Sequence, residues 1–265
     1  MFGFQRSLAI LLSLLFVLSA CAGSKQQAAT VAGNPLPEGV YEEILKRFQQ
    51  QRYDLVKNYI REAYKSGFRD KRLYFLSGIM ALQVQNNEQA KAAFQEAIKL
   101  DPQYSDAHNN LGTIYLNEGK LDQAEYEFHL ALQDPLYMTP ELAMNNLGKL
   151  MEVKGDPEEA ERYYRRAIKT KPNFAPAYYN LGVLYSREKK YSQAEQMLGK
   201  AVNINPLYIE AWWLYGMALE NEGKFDEARN AYERMVKLAP NHPLAVKAGA
   251  RLLSLPAVKQ QKSGK

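Results

Sequence analysis

The chain has 265 residues, 46% hydrophobic and 24% charged, with a mean hydropathy of −0.44. That is enough apolar surface for a core and too much charge for a multi-span membrane protein or a disordered chain. A formal charge of +5 and a pI near 9.0 would suit a nucleic-acid binder, but five of the cations, Arg6, Lys25, Lys259, Lys262 and Lys265, sit in acid-free ends at 1–25 and 256–265. Without them residues 26–255 hold 29 basic and 29 acidic residues, so the basic footprint of such a binder is missing from the body.

Residues 1–20 read as a secretory signal, with Arg6 as the positive n-region and Leu8–Leu18 as an apolar h-region. Its 11 residues fall short of the roughly 20 needed to span a bilayer. Leu18-Ser19-Ala20-Cys21 resembles the lipobox of bacterial lipoproteins, which implies a diacylglycerol on the Cys21 thiol and cleavage before it. An ordinary signal peptide abutting a free thiol is the alternative. Cys21 is the only cysteine, so no intramolecular disulfide forms and packing must hold the fold in an oxidising envelope compartment. By the same resemblance, Ala22 in place of an aspartate implies sorting to the periplasmic face of the outer membrane. Residues 22–37 are small, polar and Pro-containing, a flexible tether with a span of roughly 20–25 Å.

Two apolar-periodic helices follow within 38–70, carrying Val40, Ile44 and Phe48, then Val56, Ile60 and Ala63. Five units of one period come next, at 71–104, 105–140, 141–174, 175–208 and 209–242. Their glycines, Gly78, Gly112, Gly148, Gly182 and Gly216, are spaced 34, 36, 34 and 34 residues apart. Four before each glycine stand Tyr74, His108, Met144, Tyr178 and Trp212; one before stand Ser77, Leu111, Leu147, Leu181 and Tyr215; three after stand Ala81, Tyr115, Met151, Tyr185 and Leu219. Those offsets share one helical face, so Tyr74, Tyr178, Tyr185 and Trp212 are expected in the core.

Twelve past each glycine comes Ala90, Ala124, Ala160, Ala194 or Ala228, and four further a large Phe94, Phe128, Tyr164, Leu198 or Tyr232. A second helix therefore packs a small-large-small stripe against the first, the glycine and alanines letting the backbones approach. Turns such as Asn117-Glu118-Gly119-Lys120 part the two helices, and each pair ends near Pro102, Pro135, Pro172, Pro206 or Pro240. These residues resemble the tetratricopeptide repeat in its order of aromatic, Leu-Gly, Tyr, Ala, Phe, Ala and Pro. The resemblance implies an all-α solenoid, a right-handed superhelix, with 38–70 as a degenerate first repeat. Asn241-His242-Pro243 then starts a capping helix over 243–255, whose Leu244, Val246, Leu252 and Leu253 are expected to cover the last repeat. Residues 256–265 form a basic tail, a frayed end or a weak attractor of anionic lipid.

Catalytic and metal-ligating patterns are missing. His108, His129 and His242 have no ligand spacing, and no HExxH, GxSxG or phosphate-binding glycine loop occurs. The acid-rich turn Asp156-Pro157-Glu158-Glu159 reads as a helix start that complements the helix dipole. The expectation is therefore no enzyme, no metal, no small-molecule substrate and no cofactor beyond the lipid on Cys21.

First helices of stacked pairs line a concave surface, and their residues off the packing face stand three before, one after and four after each glycine. Three before are Phe75, Asn109, Asn145, Tyr179 and Trp213; one after are Ile79, Thr113, Lys149, Val183 and Met217; four after are Leu82, Leu116, Glu152, Ser186 and Glu220. Aromatic anchors at both ends and two amides in the middle suit an extended or helical protein segment, with Asn109 and Asn145 expected to bond its backbone.

The single spacing of 36 places two extra residues within 131–140, which reads Ala-Leu-Gln-Asp-Pro-Leu-Tyr-Met-Thr-Pro and leads into Asn145-Asn146-Leu147-Gly148. A lipobox followed by such repeats and this longer connection resembles the type IV pilus biogenesis lipoproteins called pilotins, the PilF/PilW family. That resemblance implies an outer-membrane lipoprotein that binds the pilus secretin and aids its assembly or localisation. A neutral two-residue insertion is the other reading of the loop. The other functional reading is a general envelope scaffold for outer-membrane protein insertion, peptidoglycan synthesis or polysaccharide export.

Overall fold

A computed structural model describes residue 34 and residues 36–256, and the signal segment, Cys21, most of the tether and residues 257–265 lie outside that range. The described residues form thirteen helices: α1 (Glu38–Gln49), α2 (Tyr53–Lys65), α3 (Lys71–Gln83), α4 (Asn87–Leu100), α5 (Ser105–Asn117), α6 (Leu121–Ala131), α7 (Pro140–Lys154), α8 (Pro157–Thr170), α9 (Ala175–Arg187), α10 (Tyr191–Ile204), α11 (Ile209–Asn221), α12 (Phe225–Leu238) and α13 (Pro243–Ser254). Each odd-numbered helix from α3 to α11 pairs with its successor, and each pair packs on the next.

The glycine period has a direct steric cause. A Cβ built on Gly148 would sit 2.5 Å from the Tyr164 ring, one on Gly216 2.5 Å from Tyr232, and one on Gly112 2.8 Å from Phe128. The large residue of the second helix therefore lies against bare backbone of the first. Ala90, Ala124, Ala160, Ala194 and Ala228 are fully buried, as are Phe94, Phe128, Tyr164, Leu198 and Tyr232. Burial of each large side chain contributes about 2–3 kcal/mol.

Helix boundaries follow local chemistry. The Asp156 carboxylate accepts the Glu159 backbone N–H at 2.9 Å and caps α8, so this acidic turn is a helix start. Seven residues after each repeat glycine the backbone takes positive φ, at Gly119 (73°), Gly155 (81°) and Gly223 (75°), and also at Gln85 (57°) and Lys189 (58°).

Two expectations change at the ends, and in the irregular unit the extra residues fall within 131–140 as expected. The last part of the expected tether is docked: Asn34 forms a parallel bridge with Phe68, the Arg69 N–H donates to the Asn34 carbonyl at 3.1 Å, and Leu36 is buried against α1–α3. At the other end, Ala245, Ala248 and Leu255 are the buried residues, whereas Val246 (65%) and Leu253 (91%) are exposed. The reason is that α13 packs on α11 and α12 as the first helix of a pair does. Val246 and Leu253 thus fall on the face that a second helix covers elsewhere. In the irregular unit Asp134-Pro135-Leu136-Tyr137 parallels Asn205-Pro206-Leu207-Tyr208, which leads directly into α11, whereas Met138 and Thr139 stand between Tyr137 and α7. Pro135 precedes Gly148 by 13 residues where the other connections have 10, and follows Gly112 by 23 where the others have 24, so three residues are gained after the proline and one is lost before it.

Candidate partner-binding groove

The first helices α3, α5, α7, α9 and α11 carry the positions expected to line the concave face. Phe75, Ile79 and Leu82 of α3 are half-buried and pack against the core, with the Phe75 ring 5.7 Å from Phe94 and 5.5 Å from Tyr104. Tyr179 and Val183 of α9, and Trp213 and Met217 of α11, are also half-buried. The Tyr179 ring stacks 4.7 Å from Tyr208, and Trp213 lies 5.5 Å from Tyr232. Each aromatic is thus braced by a ring of its own repeat, which holds its rotamer before any partner arrives. Thr113 and Leu116 are half-buried, while Lys149 projects into solvent one turn before Val153, itself 62% exposed.

Two expected backbone binders are otherwise engaged. Asn109 and Asn145 are only 6% and 4% exposed. The Asn146 amide donates to Asn109 Oδ1 at 3.0 Å and the Asn180 amide to Asn145 Oδ1 at 2.8 Å, while Asn146 also reaches Thr113 Oγ1 at 3.3 Å. These amides form a ladder between adjacent first helices, because stacking brings the helices close enough for the amides to satisfy one another. The signal was present in the recurrence of asparagine two before the glycine at Asn146 and Asn180, which reach the preceding repeat, whereas Asn110 at the same position donates to the Asp106 carbonyl of its own helix at 2.8 Å.

The acids expected four after the glycine are engaged too. Glu152 accepts the Tyr164 hydroxyl and pairs with Arg187, both at 2.5 Å. Glu220 accepts the Tyr232 hydroxyl at 3.1 Å and pairs with Arg251 at 2.8 Å. Burial first, then the Glu152 contact, pushes the Tyr164 hydroxyl far above its usual range, so it stays a donor. Ser186 donates to the Gly182 carbonyl at 2.8 Å. What remains for a ligand is apolar and aromatic at both ends, with Lys149 as the exposed charge between them.

The side chains four before the glycine carry a second duty. Tyr185 is buried as expected, but Tyr74, Tyr178 and Trp212 are only half-buried. The Tyr178 hydroxyl donates to the Pro172 carbonyl at 3.1 Å and the Trp212 indole N–H to the Pro206 carbonyl at 2.9 Å, so their polar ends are held at the inter-repeat connection. In α5 the same position is His108, with Nε2 3.0 Å from the Pro102 carbonyl and Nδ1 2.6 Å from Glu127 Oε2. Both partners are acceptors, so both ring nitrogens donate and the imidazolium is favoured. Burial opposes the charge, but Glu127 and the Pro102 carbonyl outweigh it and raise the pKa above the usual value.

Among the described residues no cluster of His, Cys, Asp and Glu is arranged to hold a metal, and no helix is long and apolar enough to cross a membrane.

Comparison with known proteins agrees with the repeat geometry. Tetratricopeptide repeat profiles match residues 71–104, 93–126, 154–206 and 186–252, more than half of the chain. A probable UDP-N-acetylglucosamine–peptide N-acetylglucosaminyltransferase SPINDLY of Hordeum vulgare is 32% identical over 176 residues, 63% of this chain but 18% of that protein. An uncharacterized Haemophilus influenzae protein is 31% identical over 125 residues, 46% of this chain and 67% of its own length. The crystal structure of PilW, a type IV pilus biogenesis factor, superposes with a TM-score of 0.71 at 19% identity over 80% of this chain and 99% of PilW. Pseudomonas aeruginosa PilF gives 0.70 at 16% identity over 81% and 96%. At those identities the two superpositions establish a shared fold alone, and the repeat matches establish that the chain belongs to the tetratricopeptide repeat family.

Proposed function

We propose that this chain is a non-catalytic adaptor, anchored in the outer membrane by lipid on Cys21, that holds a protein segment in its concave groove. We further propose that it serves as a pilotin-like factor which aids assembly or localisation of the type IV pilus secretin. The observation that carries the reading is the superposition of nearly all of PilW on this solenoid, together with a groove whose rings are already braced. Half-buried aromatic and aliphatic side chains at Phe75, Ile79, Tyr179, Val183, Trp213 and Met217 supply anchors for an apolar helix or strand, and Lys149 complements an acidic residue on it.

The test is deletion of the gene followed by gel analysis of secretin multimers and counting of surface pili. Loss of multimers, restored by the intact gene and not by a Tyr179→Ala/Trp213→Ala copy, supports the proposal. Unchanged multimers and pili exclude the pilus role. Capture of other envelope subunits in place of secretin would move the adaptor to another machine.

A further inference from the structure

Every hairpin of the solenoid has two ends, and they differ in chemistry. At one edge lie the turns within pairs, and at the other the connections between pairs, which include residues 66–70, 132–139 and 205–208. Each edge can be bounded by the last two residues of one helix and the first two of the next. On the connection edge the exposed charged residues are then six cations, Lys65, Arg69, Lys99, Lys169, Lys171 and Lys237, against Glu210 alone. On the turn edge seven exposed cations face seven exposed acids. Complementing helix dipoles does not explain the contrast, because each edge holds one set of helix C-termini.

Both edges project large apolar side chains, Val84 (67%), Val153 (62%) and Phe225 (36%) on the turn edge, and those of the connection edge are the more exposed. Leu136 is 80% exposed, Met138 89% and Leu207 72%. The first two belong to the longer connection, 132–139. The chain enters the solenoid at this same edge, through the Asn34–Phe68 bridge and the buried Leu36. Residues 22–33 separate Cys21 from that point, a number of residues whose small, polar composition corresponds to a linker span of about 20 Å, and the opposite edge lies a helix length further off, also about 20 Å.

We infer that the connection edge is a membrane-docking surface, which rests cations and the Leu136, Met138 and Leu207 tips on an anionic phospholipid bilayer. The inference rests on the anchor at Cys21 proposed above. Attachment at one point does not by itself fix the orientation of the body. Cations drawn to anionic headgroups and aliphatic tips entering the interface fix its orientation, which directs the turn edge away from the bilayer and leaves the groove open from the side.

The experiment supplies the anchor synthetically, so that it reads the edge whether or not cells lipidate Cys21; metabolic palmitate labelling of wild type against Cys21→Ser reads the anchor itself. The mature chain with Cys21→Ser and an N-terminal hexahistidine is held on phosphatidylethanolamine–phosphatidylglycerol vesicles by a nickel-chelating lipid. A polarity-sensitive fluorophore is placed at Met138→Cys or, on the turn edge, at Lys120→Cys; both parent side chains are exposed, so neither label disturbs the core. The expected result is a blue shift and a rise of about twofold or more at 138, quenched by spin-labelled lipid and weakened by salt, with little change at 120. The rise at 138 should shrink when phosphatidylcholine replaces phosphatidylglycerol, and when Leu136 and Leu207 are changed to Ser. Equal responses at the two sites, a stronger response at 120, or a response at 138 that appears only with an added membrane protein would overturn the inference.

Discussion

At the residue scale, the large side chain of each second helix and the residue four after the glycine are chosen together. Phe94 and Phe128 accompany Leu82 and Leu116, Tyr164 and Tyr232 accompany Glu152 and Glu220, and Leu198 accompanies Ser186. A buried phenol needs an acceptor, and the carboxylate at that position reaches it; a phenyl ring needs none and takes leucine. Tyr164→Phe alone should therefore cost about 1–2 kcal/mol in urea denaturation, by taking a hydrogen bond from Glu152. The double change Tyr164→Phe/Glu152→Leu should recover most of that, because it recreates the pairing of the first two full repeats, 71–104 and 105–140. Gly148→Ala should cost about 1–3 kcal/mol, since its new Cβ meets the Tyr164 ring at 2.5 Å.

The His108 ion pair gives stability a pH dependence of definite sign. Its folded pKa is raised, so its contribution is complete below the unfolded value of about 6.5 and is lost as pH rises through the folded value. A His108→Met variant takes the residue that Met144 supplies at the same place in the next repeat. The stability gap between the protein and that variant should be largest in acid and narrow toward alkaline pH. A gap that widens with pH would show that the imidazole is neutral.

At the scale of the helix pair, one turn position takes left-handed backbone in all five full repeats, yet only three carry glycine there. A non-glycine residue at that φ costs roughly 1 kcal/mol. Lys189→Gly should thus raise stability by about 0.5–1 kcal/mol, part of the gain being offset by glycine's greater unfolded-state entropy, and Gly119→Ala should lower it by a similar amount. Thermal unfolding of the two variants checks both signs. The turns were legible in Asn-Glu-Gly-Lys and Lys-Gly-Asp-Pro, but the same geometry at Gln85 and Lys189 was not. There the packing of the two helices dictates the turn and overrides local preference.

At the scale of the whole molecule, stacking turns a row of equivalent positions into a surface whose use depends on the neighbours. Lys149 stands exposed in the middle of the groove, so Lys149→Glu should leave stability within about 0.5 kcal/mol. If the proposed function holds, the same change should weaken capture of the proposed acidic-apolar secretin segment about tenfold in a binding titration, largely through the association rate. An unchanged affinity would place the partner elsewhere.

The period of 34 residues, the helix pairs and the glycine, alanine and large residues of the core stripe follow from the amino-acid sequence alone, because each repeat buries that stripe against its own second helix and its immediate neighbours. Small residues at fixed offsets are a local requirement, readable without coordinates. What only the tertiary structure decided are the contacts between repeats: the amides of Asn109 and Asn145 spent on a ladder, the carboxylates of Glu152 and Glu220 drawn to Arg187 and Arg251, Leu36 docked at the entry, and six exposed cations gathered on one edge. The amides and carboxylates look free in sequence because these partners lie about 30 or more residues away, and only the pitch of the stack brings them within hydrogen-bond distance.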